Sequence, residues 1–137
     1  MPFTGPFEDR LAIRETLDAY ADAVNQVDAK AWGSLWAEES MWSMPDYPEF
    51  GTVYGRANIV ETWIAAMKQF PGVIFVATPG SIVVEGDQAT VRSYTSEVYD
   101  DASGVTKRDR GIYDDMMVKV EGRWLFKSRA FRNIHRA

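Results

Sequence analysis

The sequence of 137 residues contains no cysteine. Its absence excludes disulfide bonds, a thiolate nucleophile, and zinc or iron–sulfur sites built on cysteine. The sequence has one histidine, His135, so a metal site with several histidine ligands cannot form within one chain. We expect a protein that needs no metal and no organic cofactor.

Positive charge is also scarce. The formal net charge is −5, and the longest basic cluster is Lys107-Arg108-Asp109-Arg110, so nucleic acid is not expected as a partner. The first seven residues lack the basic and apolar regions of a secretory signal, and no apolar run is long enough to span a bilayer. These absences predict a cytoplasmic protein that does not bind membranes.

Aromatic residues, by contrast, are abundant, with five Trp, six Tyr and seven Phe. Large rings suit a strongly curved sheet or an apolar pocket, although a core alone could use them all. The length predicts one domain over residues 1–137, large enough to bury a substantial core.

The first half of the chain is predicted to be mainly helical. Apolar residues recur every three or four positions over residues 8–27, which predicts a helix after an extended arm at residues 1–7. A shorter helix is predicted at residues 29–37, followed by a strand at Met41–Met44. Residues 45–55 are expected to form either a lid or a connection, before a third helix over residues 56–70.

The second half of the chain is predicted to be β-structure. Turn residues separate long strands at 73–85, 88–99, 106–120 and 123–134, and Pro79-Gly80 predicts a bulge within the first of them. Helices followed by long strands predict a cone-shaped α+β fold. Three helices would pack on a strongly curved antiparallel or mixed sheet and enclose an apolar pocket.

Two carboxylates are candidates for acid–base chemistry. Asp28 follows the first helix at the edge of its apolar stripe, where an acid either caps the next helix or works at the pocket mouth. Glu97 alternates in phase with Ser93 and Thr95, so it faces either the pocket or solvent at a strand end. Two carboxylates in one cavity would divide into one acid and one base.

The other candidates are arginine, tyrosine and apolar residues. Arg129 and Arg132 point to opposite faces of an unbulged strand, so one of them enters the pocket or both form salt bridges. Tyr20 and Tyr113 are either pocket hydroxyls or buried groups bonded to backbone carbonyls. Rings and one thioether would line the pocket or simply fill the core: Trp32, Trp42, Trp63, Phe50, Phe75 and Met117.

A family resemblance rests on several short patterns. They are Tyr20 followed by Asp28-x-x-x-Trp32, Gly55 before the third helix, Gly86-Asp87-x-Ala89, Gly111-x-Tyr113-x-Asp115, and Glu121-Gly122-x-Trp124 leading to Arg129. Together they cover residues 8–132, and they resemble the SnoaL-like branch of the NTF2-like superfamily. That branch includes scytalone dehydratase, bile acid 7α-dehydratase and hexachlorocyclohexane dehydrochlorinase.

The resemblance implies roles for particular residues. Asp28 matches the working aspartate of those relatives, Glu97 a pocket acid, Tyr113 a polar pocket residue, and Arg129 or Arg132 a pocket arginine. One departure is clear. The relatives pair their aspartate with a histidine near positions 74–77, where this chain has Ile-Phe-Val-Ala, while His135 lies at the opposite end of the β region.

The resemblance therefore implies a lyase, dehydratase or isomerase that lacks the usual His–Asp dyad. It would act on a small hydrophobic or aromatic metabolite, with Asp28 and Glu97 as acid and base and with Tyr20, Tyr113 or an arginine polarising the substrate. The alternative is a non-catalytic binding or assembly module of the same fold. The family also implies self-association as a dimer or trimer.

Overall fold

The computed structural model of the protein describes residues 2–136, and the side chains of residues 2–134. The elements, in chain order, are β1 (Phe3–Thr4), α1 (Phe7–Gln26), α2 (Ala29–Gly33), β2 (Trp36–Met44), β3 (Gly51–Tyr54), α3 (Arg56–Met67), β4 (Ile74–Glu85), β5 (Gln88–Asp100), β6 (Thr106–Val120) and β7 (Arg123–Arg136).

The strands form one seven-stranded sheet in the order β1-β4-β5-β6-β7-β2-β3. The β1–β4 and β2–β7 pairs are parallel, and the other neighbouring pairs are antiparallel. The sheet is therefore mixed and not closed, with three helices beside it. This arrangement confirms the predicted α+β fold.

Strands β4 to β7 are long, at 12, 13, 15 and 14 residues, against about 5–6 for a typical strand. The pairing of β4 with β5 shifts register between Pro79 and Ser81, which confirms the predicted bulge. The β6–β7 pair shifts register twice. Such bulges bend a sheet and increase its twist, so these strands can curve around the helices.

The core lies between the helices and the inner face of the sheet. Helix α1 buries its apolar stripe there, including Ile13, Leu17 and Tyr20, and α3 buries Ile59 and Trp63. Alternate residues of β5 and β6 are buried against them, as expected for strands with one covered face.

Several predicted boundaries were wrong. The second helix ends at Gly33 instead of residue 37, because Trp36 joins β2, pairs with Phe126 and is fully buried. Burial in the sheet outweighed local helix preference. The third helix ends at Met67 instead of residue 70.

Two segments expected to be irregular contain short strands. The loop at 45–55 includes β3, which pairs antiparallel with the end of β2. In the arm, Phe3 and Thr4 pair parallel with Ile82 and Val83 of β4. Across residues 2–136, none of the helices combines the length and the apolar character needed to cross a membrane.

Candidate functional site

An apolar cavity of about 90 Å³ lies between α1, α3 and the inner face of the sheet. Nine of its fifteen lining residues are aromatic, and Glu97 is the one with a charged side chain. The lining residues are Tyr20, Val24, Trp42, Met44, Tyr47, Phe50, Trp63, Ala66, Met67, Phe70, Val73, Phe75, Glu97, Tyr113 and Phe131.

The cavity adjoins a more polar groove on the surface, and the two share Tyr47, Phe50 and Phe70. Tyr47 is anchored by Asn133, whose Nδ2 donates to the Tyr47 hydroxyl at 2.7 Å. The rings of Tyr47 and Phe131 lie 6.4 Å apart. The segment between β2 and β3 thus forms one side of the cavity mouth and is attached to β7.

Two phenol groups meet at the cavity wall. The hydroxyls of Tyr20 on α1 and Tyr113 on β6 lie 3.3 Å apart, a distance at which either can donate to the other. Trp42 Nε1 also donates to the Tyr113 hydroxyl, at 3.2 Å. The Tyr113 oxygen thus accepts from Trp42, and each phenol O–H can donate either to the other phenol oxygen or to a ligand.

A buried ion pair lies behind the two phenol rings. Arg129 Nε and Nη2 donate to the two carboxylate oxygens of Asp115, at 2.7 and 3.1 Å. The guanidinium carbon lies 3.7 Å from the ring centre of Tyr113 and 4.3 Å from that of Tyr20. Both charged side chains are almost completely inaccessible to solvent.

Burial governs the ionisation of these groups. It raises the pKa of Tyr20 and raises the pKa of Tyr113 well above the usual value, although the Arg129 charge opposes both shifts. Burial also raises the pKa of the Asp115 carboxyl, again opposed by Arg129. For Arg129, burial is the largest single effect and would lower the pKa, but the interactions with Asp115, Tyr20 and Tyr113 together outweigh it and the net shift of the pKa is upward. Both phenols are therefore protonated at neutral pH.

Glu97 lies on the cavity wall opposite the helices. It is half-buried on β5, and its backbone pairs with Phe75 on one side and Asp109 on the other. Its charge contributes to raising the pKa of Tyr20, after the larger effect of burial. A carboxylate and two protonated phenols therefore belong to the same cavity.

Asp28 does not reach this cavity. It is exposed, caps α2, and accepts a hydrogen bond from the backbone N–H of Ala31 at 3.0 Å. The structure thus corrects the placement of Asp28 at the pocket mouth. Its carboxylate is directed to the backbone of its own turn, which is the cap that the sequence left open as the alternative.

Other predicted site residues also lie outside the cavity lining. Trp32 is fully buried and stacks on Trp63 at 4.6 Å, so it supports a lining residue from behind. Met117 is buried in the core. Arg132 is exposed and pairs with Asp114 at 3.2 Å. Together with the Arg129–Asp115 pair, this means that both arginines form the salt bridges considered as an alternative.

Of the residues that the sequence offered as pocket residues, the cavity lining includes Tyr20, Glu97, Tyr113, Trp63 and Phe75. Sequence reasoning missed several lining residues, including Tyr47, Phe70 and Phe131. The aromatic content of residues 45–50 was a usable signal for Tyr47. Phe131 pairs with Tyr113 across β6 and β7, a register that sequence alone does not give.

The backbone pairing of the strands gives the position of the single histidine. In the sheet, the backbone of His135 pairs with Arg110, Arg110 with Ser96, and Ser96 with Val76. His135 therefore lies in the cross-strand row of Val76 but three strands away, on β7. Its side chain lies outside the described residues. Within the part of the chain that is described, no group of three or more His, Cys, Asp or Glu side chains could hold a metal ion.

Comparison with known proteins assigns the family. Residues 6–130 match the SnoaL-like domain family. The chain belongs to this family. No curated protein sequence matches this SnoaL-like chain.

Solved structures with the same fold include proteins named after several reactions. One, provisionally named scytalone dehydratase, is from Novosphingobium aromaticivorans; it shares 23% identity at a TM-score of 0.83, covering 94% of this chain and 86% of that one. A hexachlorocyclohexane dehydrochlorinase (LinA type 2) shares 13% identity at a TM-score of 0.84, covering 95% and 88%. A ketosteroid isomerase-like protein from Erwinia carotovora atroseptica shares 20% identity at a TM-score of 0.82, covering 95% and 99%. At these identities the likeness shows the fold that the SnoaL-like chain shares with them.

Proposed function

We propose that this SnoaL-like protein is a cofactor-independent lyase, of the dehydratase type, or an isomerase. Its substrate would be a small hydrophobic or aromatic metabolite that carries a carbonyl or phenol oxygen. The observation that carries the proposal is the single cavity lined by the Glu97 carboxylate and the protonated phenols of Tyr20 and Tyr113. The reactions named for proteins of the same fold agree with this class.

In the proposed mechanism, Glu97 removes a proton from the carbon next to the substrate carbonyl. The electron pair of the broken C–H bond moves onto the carbonyl oxygen and forms an enolate. Tyr20 and Tyr113 donate hydrogen bonds to that oxygen as its negative charge develops. Because both phenols remain protonated, they act as donors and do not compete with Glu97 as bases.

The second step returns the proton and so restores the carboxylate. In an isomerisation, the Glu97 carboxyl group delivers the proton to a different carbon of the enolate. In a dehydration, the enolate electrons re-form the carbonyl and expel a β-hydroxyl group, which leaves as water with the Glu97 proton. Neither route needs a metal or an external oxidant.

The cavity also sets the size and polarity of the substrate. About 90 Å³ of space with largely aromatic walls suits one planar ring, and a larger molecule would extend into the adjoining groove. Arg129, the arginine behind the wall, is already bonded to Asp115 through two hydrogen bonds. An uncharged substrate therefore fits the lining better than a carboxylate, which would meet Glu97.

The experiment compares Glu97→Gln with Asp28→Asn in turnover of a library of aromatic hydroxyketones. Glu97→Gln removes the proposed base and is expected to lower kcat/KM by about 10²–10⁴-fold. Asp28→Asn makes the same chemical change outside the cavity, and asparagine caps a helix as well as aspartate does. Full activity in Glu97→Gln would contradict the mechanism, and so would a loss shared equally by both variants.

The second candidate is a binding module without chemistry. It is favoured by the use of Asp28 as a helix cap and by the apolar residues 74–77 at the position of the relatives' histidine. Saturable binding of hydroxyketones, with no turnover by the wild type at any pH, would support this candidate instead.

We also propose that the chain self-associates as a dimer or trimer. Large apolar side chains are exposed on the outer face of the sheet, including Ile74, Val76, Tyr94 and Met116. Exposed apolar residues on neighbouring strands suit a protein interface. Light scattering would show a single species of two or three chains, and Tyr94→Lys would shift it towards the monomer. A wild type that is monomeric at high concentration would contradict the proposal.

A further inference from the structure

Arg129 contacts three aromatic rings at once. Its guanidinium carbon lies 3.7 Å from the ring centre of Tyr113, and 4.3 Å from the centres of both Tyr20 and Phe126. A cation at these distances from a ring face is attracted by the negative face of the π system. Two of the three rings carry the hydroxyl groups that line the cavity.

Asp115 holds the guanidinium in this position. It binds Nε and Nη2 through two hydrogen bonds, an arrangement that fixes the plane of the group. The third nitrogen, Nη1, is buried and has no hydrogen-bond partner within the described part of the chain. Two nitrogens of the guanidinium are thus bonded to Asp115, and its faces contact the three rings.

The guanidinium does not line the cavity, whereas the two tyrosines do. Tyr20 and Tyr113 thus line the cavity and also present their ring faces to Arg129. The two phenol rings therefore lie between Arg129 and a molecule bound in the cavity.

We propose that Arg129 is a positioning residue whose charge, held by Asp115 behind the rings of Tyr20 and Tyr113, strengthens the hydrogen bonds that both phenols donate to a substrate oxygen. This inference rests on the proposed function, because it assigns a role within the same site. It differs from the expected role of a pocket arginine, since Arg129 does not contact the substrate.

The physical cause is electrostatic. A phenol gains partial negative charge when its O–H group donates a hydrogen bond. A positive charge at the face of the ring stabilises that negative charge, so the O–H group becomes a stronger donor. Because the ion pair is dry and fixed, it needs no reorganisation when negative charge develops on the substrate. The other charged groups near the two phenols, within the described residues, are Glu97 on β5 and Asp115 on β6.

The test measures the acidity of the phenol at position 113 in the unliganded protein. Replacing Tyr113 with 3,5-difluorotyrosine brings its ionisation to lower pH, where fluorine NMR can follow it in the folded chain. Arg129→Met combined with Asp115→Leu removes the ion pair as a unit. It is expected to raise the titration midpoint, by at most about one pH unit, because the positive charge about 4 Å from the ring is lost and the simultaneous loss of the Asp115 charge offsets part of that effect.

Asp115→Asn is the matched variant, for which the expected shift of the titration midpoint has the opposite sign. It leaves the Arg129 charge without its partner, so the midpoint is expected to fall, whereas simple loosening of the structure would shift both variants in the same direction. Arg129→Lys keeps the charge and is expected to stay within a few tenths of a pH unit of the wild type. The proposal would be overturned if the double variant and Asp115→Asn shifted the titration midpoint in the same direction, or if Asp115→Asn left it unchanged. If the double variant does not fold, the result for Asp115→Asn decides alone.

A second measurement uses bound acetophenone and the infrared frequency of its carbonyl group. Stronger donation by the phenols lowers this frequency, so the band is expected to move up in the Arg129→Met/Asp115→Leu variant. An unchanged band would count against the role of Arg129. The titration needs neither a ligand nor turnover, so failure of the proposed reaction is distinguishable from failure of this inference.

Discussion

The side-chain amide of Asn25 forms hydrogen bonds with both backbone polar groups of Phe75. Asn25 Oδ1 accepts from the Phe75 N–H at 2.6 Å, and Asn25 Nδ2 donates to the Phe75 carbonyl at 3.0 Å. The amide replaces a neighbouring strand at this point of β4. In this way the last turn of α1 fixes the position of the Phe75 backbone, and with it the position of the ring that lines the cavity.

Asn25→Ala is therefore expected to lower the free energy of unfolding by about 1–3 kcal/mol, because it leaves two backbone groups without partners. Urea denaturation measures the loss. Gln26→Ala, an exposed change at the next position of the helix, is the control and should cost less than about 0.5 kcal/mol. Equal effects would show that the Asn25 contacts do not stabilise the fold.

Asp9 should make stability depend on pH in the acid range. Hydrogen bonds from Trp124 and Lys119 lower the pKa of the Asp9 carboxyl below its usual value. Because the pKa is lower in the folded state, the contribution of Asp9 is present above the unfolded value and is lost as the pH falls through the folded one.

The expected outcome is that Asp9→Asn lowers Tm near pH 7, and that its difference from the wild type shrinks below about pH 4. Asp18→Asn removes an exposed carboxylate from the same helix and serves as the control. A Tm difference that stays constant from pH 7 to pH 3 would contradict this account of Asp9.

The buried ion pair predicts strongly non-additive variants. Arg129→Met alone leaves Asp115 charged in a site that excludes water, and it is expected to cost about 3–5 kcal/mol. Removing both charges in Arg129→Met/Asp115→Leu should cost less than Arg129→Met alone, because no unpaired charge remains. Chemical denaturation of the single and double variants gives the coupling energy. Additive losses would mean that the two side chains do not interact.

Gly111 allows close packing against the cavity wall. A Cβ atom there would lie 2.4 Å from Phe131 Cζ and 2.8 Å from the Arg132 carbonyl oxygen. Gly111→Ala is therefore expected to destabilise the protein by about 1–3 kcal/mol and to displace the Phe131 ring. Adding Phe131→Leu should recover part of the loss. Unfolding curves that match the wild type would show that the backbone has room to adjust.

The long elements of this fold could be predicted because their signals are local. The apolar stripe of α1 repeats over about three turns, from Ile13 to Val24. Gly86 and Gly122 occupy turns at positive φ where β-hairpins reverse. Pro79-Gly80 gave the position of the bulge in β4. The end of α2 could not be predicted, because Trp36 joins β2 only when β7 lies beside it.

The candidate site was predictable in part for the same reason. Alternation along β5 indicated that Glu97 shares a face with Thr95, but whether that face lines a cavity depends on α1 and α3. Asp28 has the same sequence environment whether it caps a helix or faces a pocket. The position of Arg129 behind two tyrosine rings depends on Asp115, its partner on the next strand, and on the register between β6 and β7.

The short arm strand β1 has a consequence beyond local packing. It pairs with β4 at Ile82 and Val83, while Asn25 occupies the backbone groups of Phe75 on the same strand. An unpaired strand edge is a template on which another chain can add a strand and begin to aggregate. By occupying β4 at both places, the N-terminal segment and α1 leave fewer backbone groups of this strand free to pair with another chain.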